Sequence, residues 1–472
     1  MAIDYLAANR FGLGRRTGDP APASAREAQA ALVKQLGAFD PAPAAIAALP
    51  GPEAIAETYI RFRELGAAKS PEQAAIGREM EAPPLREARE VIRGYYVDAA
   101  AARFAAATAS PTPFAERLVY FWANHFAVST EKQFVSGLAG DHEFRAIRPH
   151  VMGRFSDLLI AAVRHPAMQL YLDQILSVGP DSPFAVRQRR PRNAPGLNEN
   201  LAREILELHT LGVRSCYTQG DVTAFAKALT GLSVAGLGRG ALRQLIPDGT
   251  QPGEIVYIAE RHQPGEQMIL GKRYPDTGGK QAEAVLRDLA VHPATARHIA
   301  TKLARHFTAD DPPKALVDRL AADFLRSGGN LPSLYRTLIA SPEPWQGAPS
   351  MFKSPWDWAV SMARALPVSM LGERQNVSGL LGQLGQQVWR PESPAGYGDT
   401  VATWAGSGAL MQRVELASRI ALRIGDRADA RTLAPSALGD ALAPDVAEAI
   451  ARADSPAQGL TLLFASPAFL RR

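Results

Sequence analysis

Apolar residues recur at helical spacing along most of this chain, and prolines or glycines repeatedly close one such run and open the next. Over residues 114–128, Phe114, Leu118, Phe121, Trp122 and Val128 share one stripe, the mark of a helix with one face in a core. A second run, 155–172, is interrupted at His165-Pro166, where a residue without an N–H starts a new turn. Residues 198–211, 221–229, 293–307, 313–327 and 331–339 also read as helices. Strand character is confined to 254–260 and 267–270, joined across His262-Gln263-Pro264-Gly265, which predicts one small hairpin. The expected fold is mainly α, a multi-helical globular fold with one small β-hairpin.

With 472 residues, the chain exceeds what a single core usually serves, so about two or three packed subdomains are expected. The main break falls at the Pro/Arg-rich loop 177–197, which has no periodicity and carries Arg187, Arg189, Arg190 and Arg192. It separates an N-terminal helical region, 1–176, from a C-terminal one, 198–472, and the two are expected to form one compact unit. Lysine and arginine number 52 against 47 acidic residues, a net charge of +5 spread along the chain, so no polyanionic partner is implied. The arginine loop lacks interleaved aromatics and a reading helix, which argues against nucleic acid. One cysteine, Cys216, excludes an internal disulfide framework and a thiolate metal cluster. No stretch reaches the roughly 20 apolar residues of a membrane span. The opening MAIDYLAANRFGLGRR holds no signal-peptide apolar region, so a cytoplasmic location is expected.

The densest polar group lies in Asn198-Glu199-Asn200-Leu201-Ala202-Arg203-Glu204-Ile205-Leu206-Glu207-Leu208-His209. At about 100° per residue, Leu201, Ile205 and Leu208 share one face, with Asn200, Arg203, Glu204 and Glu207 opposite. Two readings fit. In the first, Asn198 caps the helix and Glu199, Arg203 and Glu207 form ordinary i,i+4 pairs on a solvated face. In the second, that face lines a cleft, with Glu204 or Glu207 as acid, base or metal ligand and Arg203 holding an anionic group.

His209 falls on the apolar arc, and His125 and His306 repeat the pattern on other helices. Three inward histidines could converge on a metal with Glu204 or Glu207, or each could be a core imidazole with its own partner. His165 and His292 both precede a proline that opens a helix, where an imidazole either caps the helix or meets an anion. No P-loop, dinucleotide fingerprint, H-E-x-x-H or G-x-S-x-G motif is present.

Several segments resemble one family when read in order: Phe121-Trp122-Ala123-Asn124-His125-Phe126, His165-Pro166-Ala167-Met168, NENLAREILELHTLGV, Tyr217-Thr218-Gln219, HPATARHIATKLARHF and Lys353-Ser354-Pro355. Together they resemble the bacterial family known as domain of unknown function 1800, nearly end to end. The resemblance implies no defined activity. Members are often exported and often encoded beside an alkaline-phosphatase-like or sulfatase-like family, domain of unknown function 1501, which implies a cell-envelope role, a periplasmic location and a protein partner. Two departures are Ala123, where a polar residue is common, and Gln263, where an aspartate is common.

The leading expectation is a hydrolytic enzyme in which Glu204 or Glu207, with His209, supplies acid–base chemistry or metal ligation, Arg203 orients substrate and Asn200 belongs to the same polar face. A divalent metal, if used, would engage His125 or His292. The alternative is a non-catalytic assembly or maturation partner of the phosphatase-like protein.

Overall fold

The computed structural model describes residues 3–67, 83–187, 196–238, 244–347, 349–367 and 377–472. Helices form where an apolar stripe coincides with a start signal. Pro113–His125 opens with proline at its first turn, where the missing N–H costs no hydrogen bond. The run 155–172 becomes Phe155–Arg164 and Pro166–Tyr171, broken at His165-Pro166. His165 Nδ1 accepts from the Ala167 N–H at 3.2 Å, and His292 Nδ1 accepts from the Ala294 N–H at 3.1 Å ahead of Pro293–Phe307. Both His-Pro pairs are therefore caps that satisfy an orphan donor. Gln219–Leu229 begins with a capping box between Thr218 and Asp221.

Residues 198–211 do not form one regular helix. One α-helical turn, Asn200–Glu204, passes into a π-helical turn, Ile205–His209. A π turn bonds i to i+5 and is costly enough to be rare. Here it ends in Thr210, whose hydroxyl donates to the Ile205 carbonyl at 2.6 Å.

The expected hairpin is corrected: 254–260 and 267–270 do not pair with each other. Ile255–Tyr257 pairs antiparallel with the upstream Leu232–Val234. Gln267–Ile269 pairs with Lys272–Tyr274 across Leu270-Gly271, whose φ angles are 51° and 74°. Two successive positive φ values suit the tight turn that matches strand twist, so 267–269 closes on its nearest neighbour at small entropic cost.

One hydrophobic cluster runs from Tyr5 to Leu470 and draws on residues from both sides of the 177–197 segment. Tyr5 Oη lies 2.6 Å from the carbonyl oxygens of both Ala468 and Arg471, fastening the first helix to the last residues. The described part of the 177–197 segment is also fastened. The buried Arg261 donates to the Ile175 and Ser177 carbonyls, each at 2.7 Å. Arg187 pairs with Glu260, while Arg189, Arg190 and Arg192 lie outside the described residues. No helix among the described residues is long and apolar enough to cross a membrane.

Candidate functional site

The polar face singled out in the sequence forms a ladder at the surface. Arg203 Nη2 donates to Glu199 at 3.1 Å and to Gln219 Oε1 at 3.0 Å, and its Nη1 lies 3.7 Å from Glu207. Glu199 also accepts from Thr223 at 2.6 Å and Gln219 at 2.8 Å. The Thr223 bond is the largest of the effects that hold its carboxyl below the usual value. Asn200 is exposed. Glu204 is half-buried, and burial together with Glu207 pushes its pKa up.

On the opposite side His209 is fully buried, and neither ring nitrogen has a hydrogen-bond partner. Burial, then the charge of Lys302, pushes its pKa down to about 3, so the ring stays neutral. It packs against Phe126 and His125, with ring centroids 5.1 and 5.9 Å away. Its backbone carries the contact that matters. The π turn leaves carbonyls at the helix end without intrahelical donors, and two histidines from other helices supply them. His298 Nε2 lies 2.9 Å from the Leu208 oxygen, and His125 Nε2 lies 3.1 Å from the His209 oxygen.

A carbonyl can only accept, so His125 carries its proton on Nε2 and presents a lone pair at Nδ1. Lys302 Nζ fills that position at 3.1 Å. Both His125 nitrogens are thus engaged, and burial, then Lys302, keeps the ring neutral. Burial also brings Lys302 down to about 8, so its ammonium titrates just above neutrality. His292 lies one and two-thirds turns before His298 and serves as a cap instead of joining His125. Among the described residues no group of three or more His, Cys, Asp or Glu side chains is arranged to hold a metal ion.

Lys302 and His125 open onto a cavity of about 300 Å³. None of Asn200, Arg203, Glu204, Glu207, His209 or His292 lines it. Its wall does include His306, one turn after Lys302 on Pro293–Phe307. His306 Nδ1 lies 2.9 Å from Asp399 Oδ2, and its Nε2 has no partner. A carboxylate can only accept, so Nδ1 holds the proton and Nε2 is the free base. Burial lowers the His306 pKa against the pull of Asp399. For Asp399, burial is outweighed by His306 and Arg472, which hold it below the usual carboxylate range.

The carboxylate is itself fixed. Arg472 Nη2 reaches Asp399 at 3.2 Å and Arg472 Nε reaches Asp357 at 3.4 Å. Asp357 also meets Arg117 at 3.3 Å. Burial would raise the Asp357 pKa, yet Arg117 and Arg472 hold it at about 2. The loop that carries Asp399 is pinned by Asn124, which accepts from the Tyr397 N–H at 2.8 Å and donates to its carbonyl at 2.9 Å. Gly396 lies so close to the Asn124 backbone, with φ of 82°, that no side chain fits there.

Sequence reasoning placed His125, His209 and His306 inward, and the structure brings the first two within ring contact. It missed Lys302 and Asp399. The i,i+4 spacing of Lys302 and His306 was a readable signal, since both fall on one helix face. Asp399, 93 residues further on, gave none.

No curated protein and no solved structure matches the chain. Its sequence matches the family described as protein of unknown function (DUF1800) over residues 6–471, and the chain belongs to that family.

Proposed function

We propose that this protein is a hydrolytic enzyme and that its chemistry is carried out in the 300 Å³ cavity by the His306–Asp399 dyad. The carrying observation is the His306 Nδ1–Asp399 bond of 2.9 Å, with Nε2 left unpartnered on a residue that lines the cavity. Such a carboxylate fixes ring and tautomer, so that the opposite nitrogen takes a proton from an attacking water. Lys302 stands one helical turn away with its only hydrogen bond among the described residues going to His125. Its ammonium supplies positive charge for the oxyanion that develops as the water adds. Arg472 and Asp357 position Asp399 without meeting the reacting atoms.

Unpartnered buried atoms are not peculiar to the cavity, since both His209 nitrogens are of that kind as well. What favours chemistry over the reading in which the chain only assists a phosphatase-like partner is that His306, Asp399 and Lys302 share one concave cavity.

The test is turnover of 4-nitrophenyl acetate, butyrate, phosphate and sulfate by wild type, His306→Asn and Asp399→Asn. One ester class should be hydrolysed, with kcat falling by about 10²–10⁴-fold in His306→Asn. Hydrolysis that is undiminished in His306→Asn, or absent for every ester, overturns the proposal.

A further inference from the structure

The opposite flank of the same cavity bears a second arrangement that the dyad does not use. Arg103, on the helix Pro83–Ala109, lies over three aromatic rings. Its guanidinium carbon is 4.1 Å from the Trp356 ring centroid, 4.6 Å from Tyr120 and 5.4 Å from Trp389. Its Nε donates to Glu143 at 2.8 Å. The other Glu143 oxygen accepts from Trp389 Nε1, also at 2.8 Å. The buried carboxylate therefore fixes both the arginine and one wall of its cage. Nothing among the described residues takes a hydrogen bond from Nη1 or Nη2, although all three cage aromatics and Arg103 line the cavity.

Two of the cage residues also carry buried donors without acceptors, Tyr120 Oη and Trp356 Nε1. Their rings are 5.1 Å apart. Burial raises the Tyr120 pKa well above its ordinary value, so the phenol keeps its proton and can donate. The donors open to the cavity are Arg103 Nη1 and Nη2, and such a fork is satisfied by an acceptor-rich ligand. The charges agree. The lining carries the cations Arg103, Lys302, Arg305 and Arg472 against Asp357 and Asp399, with Glu143 behind Arg103.

Resting on the function proposed above, we infer that the substrate carries an oxyanion, a carboxylate or a phosphate. The Arg103 fork receives it within the Trp356, Tyr120 and Trp389 cage, which leaves the bond to be broken on the His306 side. Planar arginine offers two parallel N–H bonds to such a group, and stacking on Trp356 holds the plane without consuming those donors. Tyr120 and Phe121 are consecutive on Pro113–His125. Phe121 meets His306 at a ring distance of 5.4 Å while Tyr120 meets Arg103, so one helix separates the anchoring flank from the reacting one. Arg103 is a binding residue in this arrangement, with Glu143 positioning it.

Calorimetric titration with inorganic phosphate, and separately with succinate, tests the inference in wild type, Arg103→Lys, Trp356→Phe and His306→Asn. One of the two anions should bind saturably to wild type, and which one does decides between phosphate and carboxylate. Arg103→Lys, which keeps the charge and loses the fork, should weaken that binding by about tenfold or more. Trp356→Phe should weaken it several-fold, and it carries the test if the arginine variant fails to fold. His306→Asn should leave binding unchanged while abolishing turnover, which separates this inference from the catalytic reading. No saturation by either anion below about 10 mM, or equal affinity in Arg103→Lys and Trp356→Phe, overturns it whatever the esterase assay shows.

Discussion

His125 Nε2 lies 3.1 Å from the backbone oxygen of His209, and through that bond the end of the NENLAREILELH segment is tied to the wall of the cavity. The segment thus contributes a backbone carbonyl, while its charged face looks elsewhere. His125→Leu would leave both the His209 carbonyl and the Lys302 ammonium without a partner in a buried setting. Each orphaned group costs about 1–3 kcal/mol, and urea unfolding should register their sum. His125→Gln, which offers both a donor and an acceptor, should recover part of the loss.

The carboxylates of that face make a contrasting prediction. Arg203, Glu199 and Glu207 each keep between a quarter and two-fifths of the side chain exposed, and exposed pairs of this kind contribute only about 0.2–1 kcal/mol. Glu204→Gln and Glu207→Gln should alter kcat/KM by less than about threefold. A larger loss in either variant would return the reaction to the face first picked out in the sequence.

That this face lies outside the cavity lining bears on what sequence patterns can and cannot reveal here. Proline-opened helices such as 293–307, and the break at His165-Pro166, were legible because both depend on local backbone chemistry. The hairpin was misassigned because the true partner of Ile255–Tyr257 lies upstream and Leu270-Gly271 is not a conspicuous turn dipeptide. The NENLARE face drew attention because four polar side chains fall on one arc. An arc identifies neighbours along a helix and says nothing of what faces it across space. His306 acquires its meaning from Asp399 in the Gly/Pro/Trp-rich stretch 382–408, which has no periodicity to place it.

Asp357 joins two buried arginines at 3.3 and 3.4 Å. Asp357→Asn would leave Arg117 with uncompensated charge in the interior and Arg472 with Asp399 alone, a change that costs about 3–5 kcal/mol. The wild-type carboxyl titrates at about 2 when folded against 3.8 ordinarily. Its contribution is complete above pH 3.8 and is lost as pH falls towards 2. Acid-unfolding curves should show that increment in wild type and not in Asp357→Asn.

The dyad and its lysine also set a pH profile for turnover. His306 must be neutral to accept a proton, and burial has lowered its pKa from 6.5, so the acidic limb of kcat/KM should lie below pH 6.5. Lys302 must be charged, and it loses its proton at about 8, so activity should fall again above that pH. Lys302→Arg keeps the charge at any accessible pH. It should therefore flatten the basic limb and leave the acidic one in place, and a basic limb unchanged in that variant would remove Lys302 from the reaction.

Gly396 provides a way to move the aspartate without touching it. The residue lies three positions before Asp399, and a Cβ there would fall 2.6 Å from Asn124 Oδ1 and overlap the Asn124 backbone oxygen. Its φ of 82° adds backbone strain for any other residue, about 1–3 kcal/mol at such a position. Gly396→Ala should therefore push the loop away from Pro113–His125 and stretch the His306–Asp399 bond. If the dyad orients the base, turnover should drop by more than the loss of stability explains, and the His306 Nδ1 proton should lose its hydrogen-bonded downfield resonance. The loop meets the far face of the cavity at Tyr397 Oη, bonded to the Gln387 carbonyl and the Arg390 N–H on either side of Trp389, while Arg103 on that face is held by Glu143. Anion binding at Arg103 should accordingly survive in Gly396→Ala, and its loss there would mean that the two flanks are not independent.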